Sequence, residues 1–504
     1  MYVLIRTVDR KEFEGRTFPH AYDVLVYQEG GHVYAKDRNG NVICVDSSTS
    51  CLQEAVNHIV PLGGGRIYIK RGTYYVNSYQ QLGSQGIDVP KGISVVFEGE
   101  DPYTTKITAG VSMDSLIMFR ARNAIVRNIT FDGNGLVNTT VYVMNHLYDP
   151  APIDYAKFEN VIMQNSNPNG IGWVFAAWDA YNDNKNTGIF GIDTVVLEDS
   201  IIQGPSSTAQ DAVAFTFVDN VFIDRTKFVN LYRVVNSYVV NQFRCRDSLF
   251  TGFKSYASLV IDRTLYAEVE GCIFKNNQVP IHIHQPFAIS IKSIYDDYAV
   301  IIAPTPPPTG SAITYASQIA VEIVDSMLNQ IAVYGDYYRN IAVLKIERNM
   351  FMGSVSIGGL LTFLVPDNPT INNIVLRNNY MNLANYQFFL SNFNGTATIM
   401  NSIIENNIIV NPKGNWQVVI DPSTKVINNT GFLGINTGRA TIAANTTSVT
   451  VNHGLICAPS KVLVTPLAQP SGSIWVSNIT ATSFNINVST APTTDLPVAW
   501  YAEC

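Results

Sequence analysis

The sequence predicts an all-β protein: a right-handed parallel β-helix with an N-terminal helical cap and a C-terminal β-sandwich. Three observations predict this fold class. The composition is poor in charge, a six-residue pattern recurs along most of the chain, and period-two alternation precedes most copies of that pattern. A chain of 504 residues is also too long for one compact core, so several domains or a repeat array are expected.

The composition favours strands and turns. Hydrophobic residues make up 46% of the chain and charged residues only 14%, whereas about a quarter is usual for charged residues. Asn, Ser, Thr, Tyr and Gly take their place, and these residue types suit strands and tight turns better than surface helices. The net charge of -7 without a basic run argues against nucleic-acid binding. No apolar stretch is long enough to span a bilayer, and charges directly after Ile5 argue against a signal peptide.

The repeated pattern reads apolar, polar, polar or Asn, small or Asn, any, large apolar. Its copies lie at 126–131, 158–163, 197–202, 223–228, 245–250, 269–274, 323–328, 346–351, 376–381 and 404–409, with a degenerate copy at 427–432. Alternating small or apolar residues before most copies indicate a strand with one buried face, and the pattern then turns into a second strand. Most successive copies are 22 to 30 residues apart, which fits one coil of a three-faced β-helix. Leucine-rich repeats need a leucine consensus and propeller blades need longer units, so both are disfavoured.

The fourth position of the pattern predicts an internal ladder. It holds Asn349, Asn379 and Asn407 in three copies and Ser, Thr or Cys in several others. Equivalent positions of stacked coils lie about 4.8 Å apart, so asparagine side chains there can bond one another and hold a left-handed backbone at the corner. The alternative interpretation is ordinary turn asparagine.

The ends of a solenoid need protection against edge pairing. Residues 50–60 read as an amphipathic helix that caps the N-terminal opening, with Leu52, Ala55, Val56 and Ile59 on one face. The predicted organisation is a lead-in or attachment segment at 1–45, cap helix and first coils at 46–105, β-helix at 106–437 and β-sandwich at 438–504. Uneven spacing and a proline-rich stretch predict inserted loops at 132–157, 164–193 and 276–320. Trp475 and Trp500 are predicted in the sandwich core, or one of them as a sugar platform.

Six cysteines are too few for a disulfide scaffold. Cys44 and Cys51 can close a small loop, and Cys457 and Cys504 can tie the C-terminal segment. Cys245 and Cys272 fall in different frames of the repeat, so they are not expected to face each other. Seven sequons indicate possible glycosylation sites, although an Asn- and Thr-rich chain can also contain such motifs by chance. Their asparagines are Asn128, Asn138, Asn394, Asn428, Asn445, Asn478 and Asn487.

The cap region resembles a known family. The motifs are Cys51-Leu-Gln-Glu-Ala-Val-Asn-His and Gly63-Gly-Gly-Arg-Ile-Tyr-Ile-Lys-Arg-Gly-Thr-Tyr74. They resemble the start of pectate-lyase-like β-helix proteins, which include viral tailspikes and archaeal surface proteins. The preceding lead-in looks like that of archaeal-virus members, and residues 447–488 resemble a lectin-like sandwich that ends virion fibres. The resemblance implies a homotrimer that binds or cuts host-surface glycans, on a virion surface with other tail or capsid proteins. Fold alone does not establish an activity.

Carboxylates and aromatic residues between 132 and 212 form the predicted glycan surface. Asp132, Tyr142, Tyr148, Trp173, Trp178 and Tyr181 are candidate ligand-binding residues, and Asp179, Asp183 and Asp211 are candidate catalytic residues. Aromatic faces stack on sugar rings while acids bond hydroxyls or act in pairs on the glycosidic bond. Ordinary Asp-Gly and Asn-Asp turns are the competing interpretation. Polygalacturonase-like members carry paired aspartates where this chain has only Asp211, which argues against hydrolysis.

The alternating His282 and His284 face one side of a strand. They could bind a metal, but no third ligand is evident, so a solvated face is favoured and neither a metal nor a cofactor is predicted. Arg263 beside Asp262 reads as a surface ion pair. Three functions remain open: a trimeric virion tail spike or fibre that binds host glycans or glycoproteins, an extracellular polysaccharide lyase or glycoside hydrolase, and an archaeal cell-surface adhesin.

Overall fold

The structure is a computed structural model of the chain. It describes residues 22–46, 50–78, 85–145, 153–167, 172–177, 191–204, 213–231, 235–255, 257–278, 281–284, 288–296, 299–302, 319–334, 341–351, 359–364, 370–382, 388–392, 397–410, 418–431 and 434–504. The chain divides into two compact units, one from residues 1–179 and 191–209 and the other from residues 180–190 and 210–504. Both contain parallel β-helix coils, which confirms the predicted fold class.

The first unit begins with an antiparallel meander, a helix and a 3-10 turn before its coils. The meander strands are Val24–Glu29, His32–Asp37 and Val42–Asp46, followed by helix Leu52–Ile59 and turn Val60–Leu62. The coil strands are Gly64–Ile69, Gly72–Val76, Gln85–Val89, Ser94–Gly99, Thr105–Ala109, Met113–Phe119, Asn123–Arg127, Thr130–Asp132, Val137–Asn145, Ile153–Glu159, Ile162–Gln164, Gly172–Ala177, Ile192–Glu198 and Ile201–Gln203.

The second unit continues the same pattern and ends in the C-terminal domain. Its coil strands are Val213–Asp224, Lys227–Val229, Val235–Arg246, Leu249–Thr251, Leu259–Glu270, Ile273–Lys275, Ile281–Ile283, Ala288–Lys292, Tyr295–Asp296, Val300–Ile302, Ile319–Val324, Met327–Leu328, Ile331–Tyr334, Ile341–Glu347, Met350–Phe351, Gly359–Leu364, Thr370–Asn372, Ile374–Arg377, Tyr380–Asn382, Phe388–Asn392, Ala397–Met400, Ile403–Glu405, Ile408–Val410, Val418–Ile420 and Lys425–Ile427. The C-terminal strands are Ile435–Ile442, Ser448–Asn452, Lys461–Pro466, Ile474–Ser477, Ser483–Val488 and Leu496–Glu503.

The cap helix covers the first coil as predicted. Leu52, Ala55, Val56 and Ile59 are fully buried. On its polar side, the Gln53 side chain accepts a hydrogen bond from the Asp88 backbone N–H at 2.9 Å and donates to the Asp88 carbonyl at 3.2 Å. The N–H and C=O of Asp88 in that edge strand are therefore paired, which hinders edge-to-edge pairing there. The Cys44–Cys51 disulfide joins the third meander strand to the start of the helix.

Each coil turns at the third residue of the repeated pattern. The residue there has a left-handed backbone, with φ between 48° and 64°, in every copy from 126–131 to 404–409. Asn428 has the same backbone in the degenerate last copy, whose register in the structure begins at Val426, one residue before the predicted start. Non-glycine residues rarely adopt this conformation, and Asn and Asp tolerate it best. The sequence pattern assigned the left-handed corner to the fourth position, which is one residue too far along the chain. The fourth residue instead points inward and supports the corner.

The fourth positions of the later coils form the predicted ladder. Asn349, Asn379 and Asn407 each donate their side-chain amide to a carbonyl of the preceding coil and to the next asparagine. Each also accepts a backbone N–H from the preceding coil, as Asn379 does from Asn349 at 3.0 Å. The ladder extends to Asn429 in the degenerate last copy. Because all these groups are buried, the side chains satisfy peptide groups that water cannot reach.

Serine and threonine hold the same position in other coils. Their shorter side chains donate to a carbonyl of their own turn instead of one in the preceding coil. In the first unit, Ser200 accepts the Val161 N–H and donates to the Glu198 carbonyl two residues earlier. In the second unit, Ser248 and Ser326 make the same two bonds. The hydroxyl thus ties its own turn to the coil before it.

The described parts of the predicted inserted loops contain regular strands. Residues 276–320 contain a further coil, in which Ala288–Lys292 pairs in parallel with Leu259–Glu270 and Ile319–Val324. The repeat search missed it because Asp296 holds the sixth position, where a large apolar residue was required. Strands Val137–Asn145 and Gly172–Ala177 likewise belong to the coils within 132–157 and 164–193, and pair with each other in parallel. The proline-rich part, residues 303–318, lies outside the described residues.

The C-terminal domain is a sandwich of two three-stranded antiparallel sheets, as predicted. Its core includes Phe484, Ile486 and Trp500, which are nearly or fully buried. Trp475 is 48% exposed, so its predicted core position is wrong. Its neighbours Ile474 and Val476 face the core, and strand alternation puts Trp475 on the outer face. The Cys457–Cys504 disulfide closes the domain.

Replacing Asn379 by Ala tests the ladder. The side chain is 1% exposed and makes four hydrogen bonds, so its loss leaves buried partners unpaired. We expect a destabilisation of about 2–4 kcal/mol, measured as a lower melting temperature by calorimetry. Asn372→Ala is the control, because Asn372 is exposed and its side chain accepts a bond from the exposed Asn401. Equal melting temperatures for the two variants would contradict the structural role of the ladder.

Candidate functional sites

Asp132, the first predicted glycan-binding residue, is engaged within the protein. Its carboxylate accepts hydrogen bonds from Gln164 at 2.8 Å, from Asn165 at 2.9 Å and from the Asn134 backbone. Lys106 lies 3.5 Å away. Burial would raise the pKa of Asp132, but the bonds from Asn165 and Gln164 outweigh it and lower that pKa. The ionised Asp132 carboxylate therefore links neighbouring coils through hydrogen bonds.

The remaining residues of the predicted glycan surface are only partly described. Tyr142 is partly buried and lies in register with Met118 and Val174 of the neighbouring coils. Trp173 pairs with Val141 in the same sheet. Tyr148, Trp178 and Tyr181 lie outside the described residues, as do Asp179, Asp183 and Asp211.

A polar cluster in the second unit was not recognised as a site from the sequence. Here His284 and His282 do lie on one side of their strand, with His284 Nε2 3.4 Å from His282 Nδ1. Both rings are only partly exposed, so the predicted solvated face is wrong. Burial, together with the positive charge of His284, lowers the pKa of His282 to about 4. Burial also lowers the pKa of His284.

Asp262 and Arg263 of the adjacent coil complete this cluster with Tyr238. Burial raises the pKa of Asp262, and among the described residues its buried Oδ1 has no hydrogen-bond donor. Arg263 bonds the Tyr238 hydroxyl, and its guanidinium lies 4.9 Å from the ring centroid. Arg263 is thus directed to a tyrosine, while its charge and its backbone N–H act on the Asp262 carboxylate and oppose the rise in the pKa of Asp262 that burial causes. Neutral imidazoles, a buried carboxyl group and a cation are the components of proton transfer near an anionic substrate.

A groove of about 470 Å³ lies beside the meander in the first unit. It is lined by Tyr27, Gln28, Glu29, Tyr68, Lys70, Arg71 and Glu100. Tyr27 stacks on Tyr34 with ring centroids 5.2 Å apart and planes inclined by 13°. The ammonium groups of Lys36 and Lys70 lie 5.3 and 5.9 Å from the Tyr27 centroid. The groove therefore combines aromatic faces with groups that bond hydroxyls and acids.

The charged residues of the groove hold one another in place. Arg71 Nη2 donates to Glu100 Oε1 at 2.8 Å, and the Arg71 backbone N–H donates to Glu100 Oε2 at 3.1 Å. These bonds lower the pKa of Glu100 and raise that of Arg71. The sequence carried a signal for this site, since Tyr27, Tyr34 and Tyr68 occupy the outward positions of alternating strands whose inward residues are apolar.

The remaining predicted sites are placed as follows. Of the sequon asparagines, Asn138, Asn428, Asn445 and Asn478 are exposed. The side chains of Asn128 and Asn487 are engaged in hydrogen bonds, and Asn394 lies outside the described residues. Cys245 and Cys272 are buried free thiols with their sulfur atoms 3.6 Å apart, so the prediction that they do not face each other is wrong. The corner brings the side chains together although their positions in the pattern differ. No helix among the described residues is long and apolar enough to cross a membrane.

Neither a protein-family model nor a curated protein matches this sequence, whereas solved structures match its fold. The tailspike protein gp49 of Pseudomonas phage LKA1 is 12% identical, over 91% of this chain and 93% of that protein, with a TM-score of 0.45. The tailspike of E. coli bacteriophage HK620, in complex with a pentasaccharide, is 12% identical over 93% and 92%, with a TM-score of 0.37. The A-module of mannuronan C-5 epimerase AlgE6 from Azotobacter vinelandii is 12% identical over 75% and 89%, with a TM-score of 0.38. These similarities concern the fold alone, the parallel β-helix shared by pectate-lyase-like proteins and phage tailspikes.

The histidine pair predicts acid sensitivity. The unfolded chain binds a proton at His282 near pH 6.5, whereas the folded chain binds it only near pH 4. Stability is therefore present above pH 6.5 and is lost as the pH falls towards 4, by up to about 1.4 kcal/mol per pH unit. We expect His282→Gln to flatten the pH dependence of the melting temperature in this window. His32→Gln, at an exposed position, is the control. An unchanged slope in His282→Gln would contradict the assignment.

Proposed function

We propose that this chain is a virion surface protein, a tail spike or fibre, that recognises glycans or glycoproteins of a host-cell surface. The observation that carries the proposal is the groove beside the meander, where the Tyr27–Tyr34 stack adjoins Lys70 and the Arg71–Glu100 pair. Aromatic faces stack on the apolar faces of sugar rings, and charged groups bond hydroxyls and carboxylates. The resemblance of the cap motif and the C-terminal segment to viral fibre proteins supports the same proposal.

The wider setting follows from the same resemblance. The protein is proposed to assemble as a homotrimer and to join other tail or capsid proteins. The predicted surface between 132 and 212 remains a second proposed contact region, with Asp132 restricted to a structural role by its internal bonds. Glycosylation of the exposed sequons also stays a proposal.

Tyr27→Ala tests glycan recognition. Removing one face of the aromatic platform is expected to lower the affinity for a bound saccharide about tenfold, equivalent to about 1.4 kcal/mol. The measurement is binding to an array of purified bacterial and archaeal surface polysaccharides, followed by titration with the positive one. Tyr103→Ala is the matched control, because Tyr103 is 72% exposed and lies outside the groove. Equal affinities for the wild type and Tyr27→Ala would exclude this groove as the site.

The polar cluster favours a second candidate function, an extracellular polysaccharide lyase. Arg263 would neutralise a uronate carboxylate, and a neutral imidazole, His282 or His284, would accept the proton on the adjacent carbon. The carbon–hydrogen bond and the glycosidic carbon–oxygen bond break while a carbon–carbon double bond forms. The proton taken by the imidazole stays on the enzyme, and the buried Asp262 carboxyl group supplies a proton to the leaving glycosidic oxygen and is then reprotonated from the imidazolium. The reaction therefore needs neither water nor a redox partner.

The two possible catalytic regions can be separated by mutation. We expect Asp262→Asn to reduce release of unsaturated product, followed by its absorbance, at least about 100-fold. Changing Asp179, Asp183 and Asp211 together to Asn is the comparison, because these are the aspartates predicted from the sequence. Activity lost only in the triple variant would move catalysis to that region. No unsaturated product from any acidic polysaccharide would remove the lyase alternative.

A further inference from the structure

An apolar ridge runs along the outward face of seven successive coils in the second unit. The fifth position of the repeated pattern supplies its side chains, which are Leu249, Ile273, Tyr295, Met327, Met350, Tyr380 and Ile408. Each is in parallel register with the next. Five of the seven are 39–47% exposed, and Leu249 and Tyr295 are partly exposed. Six strand spacings make the ridge about 29 Å long.

The ridge has defined ends and polar borders. Lys227 occupies the same position in the coil before Leu249, and Thr430 bridges Ile408 in the coil after it. Two residues before each ridge residue lies the left-handed corner, which is polar at Asp247, Asp325 and Arg348. A contiguous apolar patch with a polar rim is characteristic of an interaction site and is unusual on a solvated surface.

The neighbouring face of the same coils shows what solvent-facing positions normally carry. Its outward residues form ion pairs between coils, among them Arg246–Glu268 at 3.0 Å, Lys345–Glu322 at 2.7 Å and Arg377–Glu405 at 2.5 Å. Within the described coils the ridge carries no charge from Leu249 to Ile408. The lack of charge therefore distinguishes the ridge from the neighbouring face of the same coils.

We propose that this ridge is the surface through which copies of the chain associate, three around an axis parallel to the ridge. A partner must present a straight apolar edge, one side chain wide, with the same rise of one strand spacing per level. A second copy of this chain has such an edge. Around a parallel threefold axis, each residue meets its own equivalents at the same height, and the absence of charge removes repulsion. Each ridge is then covered by two neighbours. This inference rests on the proposed trimeric spike and names its contact surface.

Charge introduced into the ridge tests the proposal. We expect the wild type to sediment at three times the 55.6 kDa chain mass at micromolar concentration. Met327→Glu combined with Met350→Glu buries charges against their own equivalents and should raise the dissociation constant of the trimer at least about 100-fold. The control combines Val343→Glu with Val419→Glu, two exposed strand positions off the ridge, and should remain trimeric. A monomeric wild type, or a trimer that survives the ridge variant, would overturn the proposal.

A cysteine substitution gives an answer that does not depend on weakening the fold. Met350→Cys places equivalent thiols together at the axis, so mild oxidation should give covalent dimers on a non-reducing gel. Val343→Cys should stay monomeric on the same gel. Crosslinking of both or of neither would overturn the proposal.

Glycan binding is measured separately on each variant. A trimer that binds no glycan would defeat the proposed function and leave the ridge assignment intact. Glycan binding by a monomeric wild type would defeat the ridge assignment and leave the proposed function intact.

Discussion

The corner of each coil is the constraint on which the rest of the fold depends. A residue with left-handed backbone turns the chain, and the next residue points inward, where an Asn, Ser or Thr side chain bonds peptide groups of its own coil or the one before it. Without that inward side chain, the turn would leave buried peptide groups unpaired, at a cost comparable to the strain of the turn. Arg225, Ser293 and Arg348 adopt the left-handed conformation although their side chains do not favour it. Their backbone is held by the stacked coils on either side.

The features that could be predicted from the sequence are those that depend on residues close together in the chain. The cap helix, most corners, the asparagine ladder and the sandwich could all be recognised from local patterns. The coil around Ile294 was missed because Asp296 replaced the large apolar residue at the sixth position of the pattern, and the solenoid tolerated it. The contacts of Cys245 with Cys272, and of His284 with Asp262, join different coils, so no local pattern encodes them. The inward or outward direction of the fifth pattern position also required the actual register.

The interior and the exterior of the coils carry different kinds of information. Inward positions repeat with little variation, since Phe228, Phe250 and Phe274 stack on one another with centroids 4.4 to 4.8 Å apart. Outward positions differ from face to face: ion pairs on one, apolar side chains on another, and tyrosines beside the cap. A solenoid of this kind can change its binding properties without altering its core, because outward side chains are not needed for stacking.

The asparagine ladder also has a direction. The backbone N–H of Asn349 donates to the side-chain oxygen of Asn379. In the same way, that of Asn379 donates to Asn407 and that of Asn407 donates to Asn429. The backbone N–H at each of these corners is therefore satisfied by the coil that follows it in the chain. A ribosome makes the chain from the N-terminal end, so every newly made coil here has an unpaired corner until the next one is synthesised. Pairing of these corner N–H groups must consequently lag synthesis by about one repeat, and Asn429 is needed to pair the corner at Asn407.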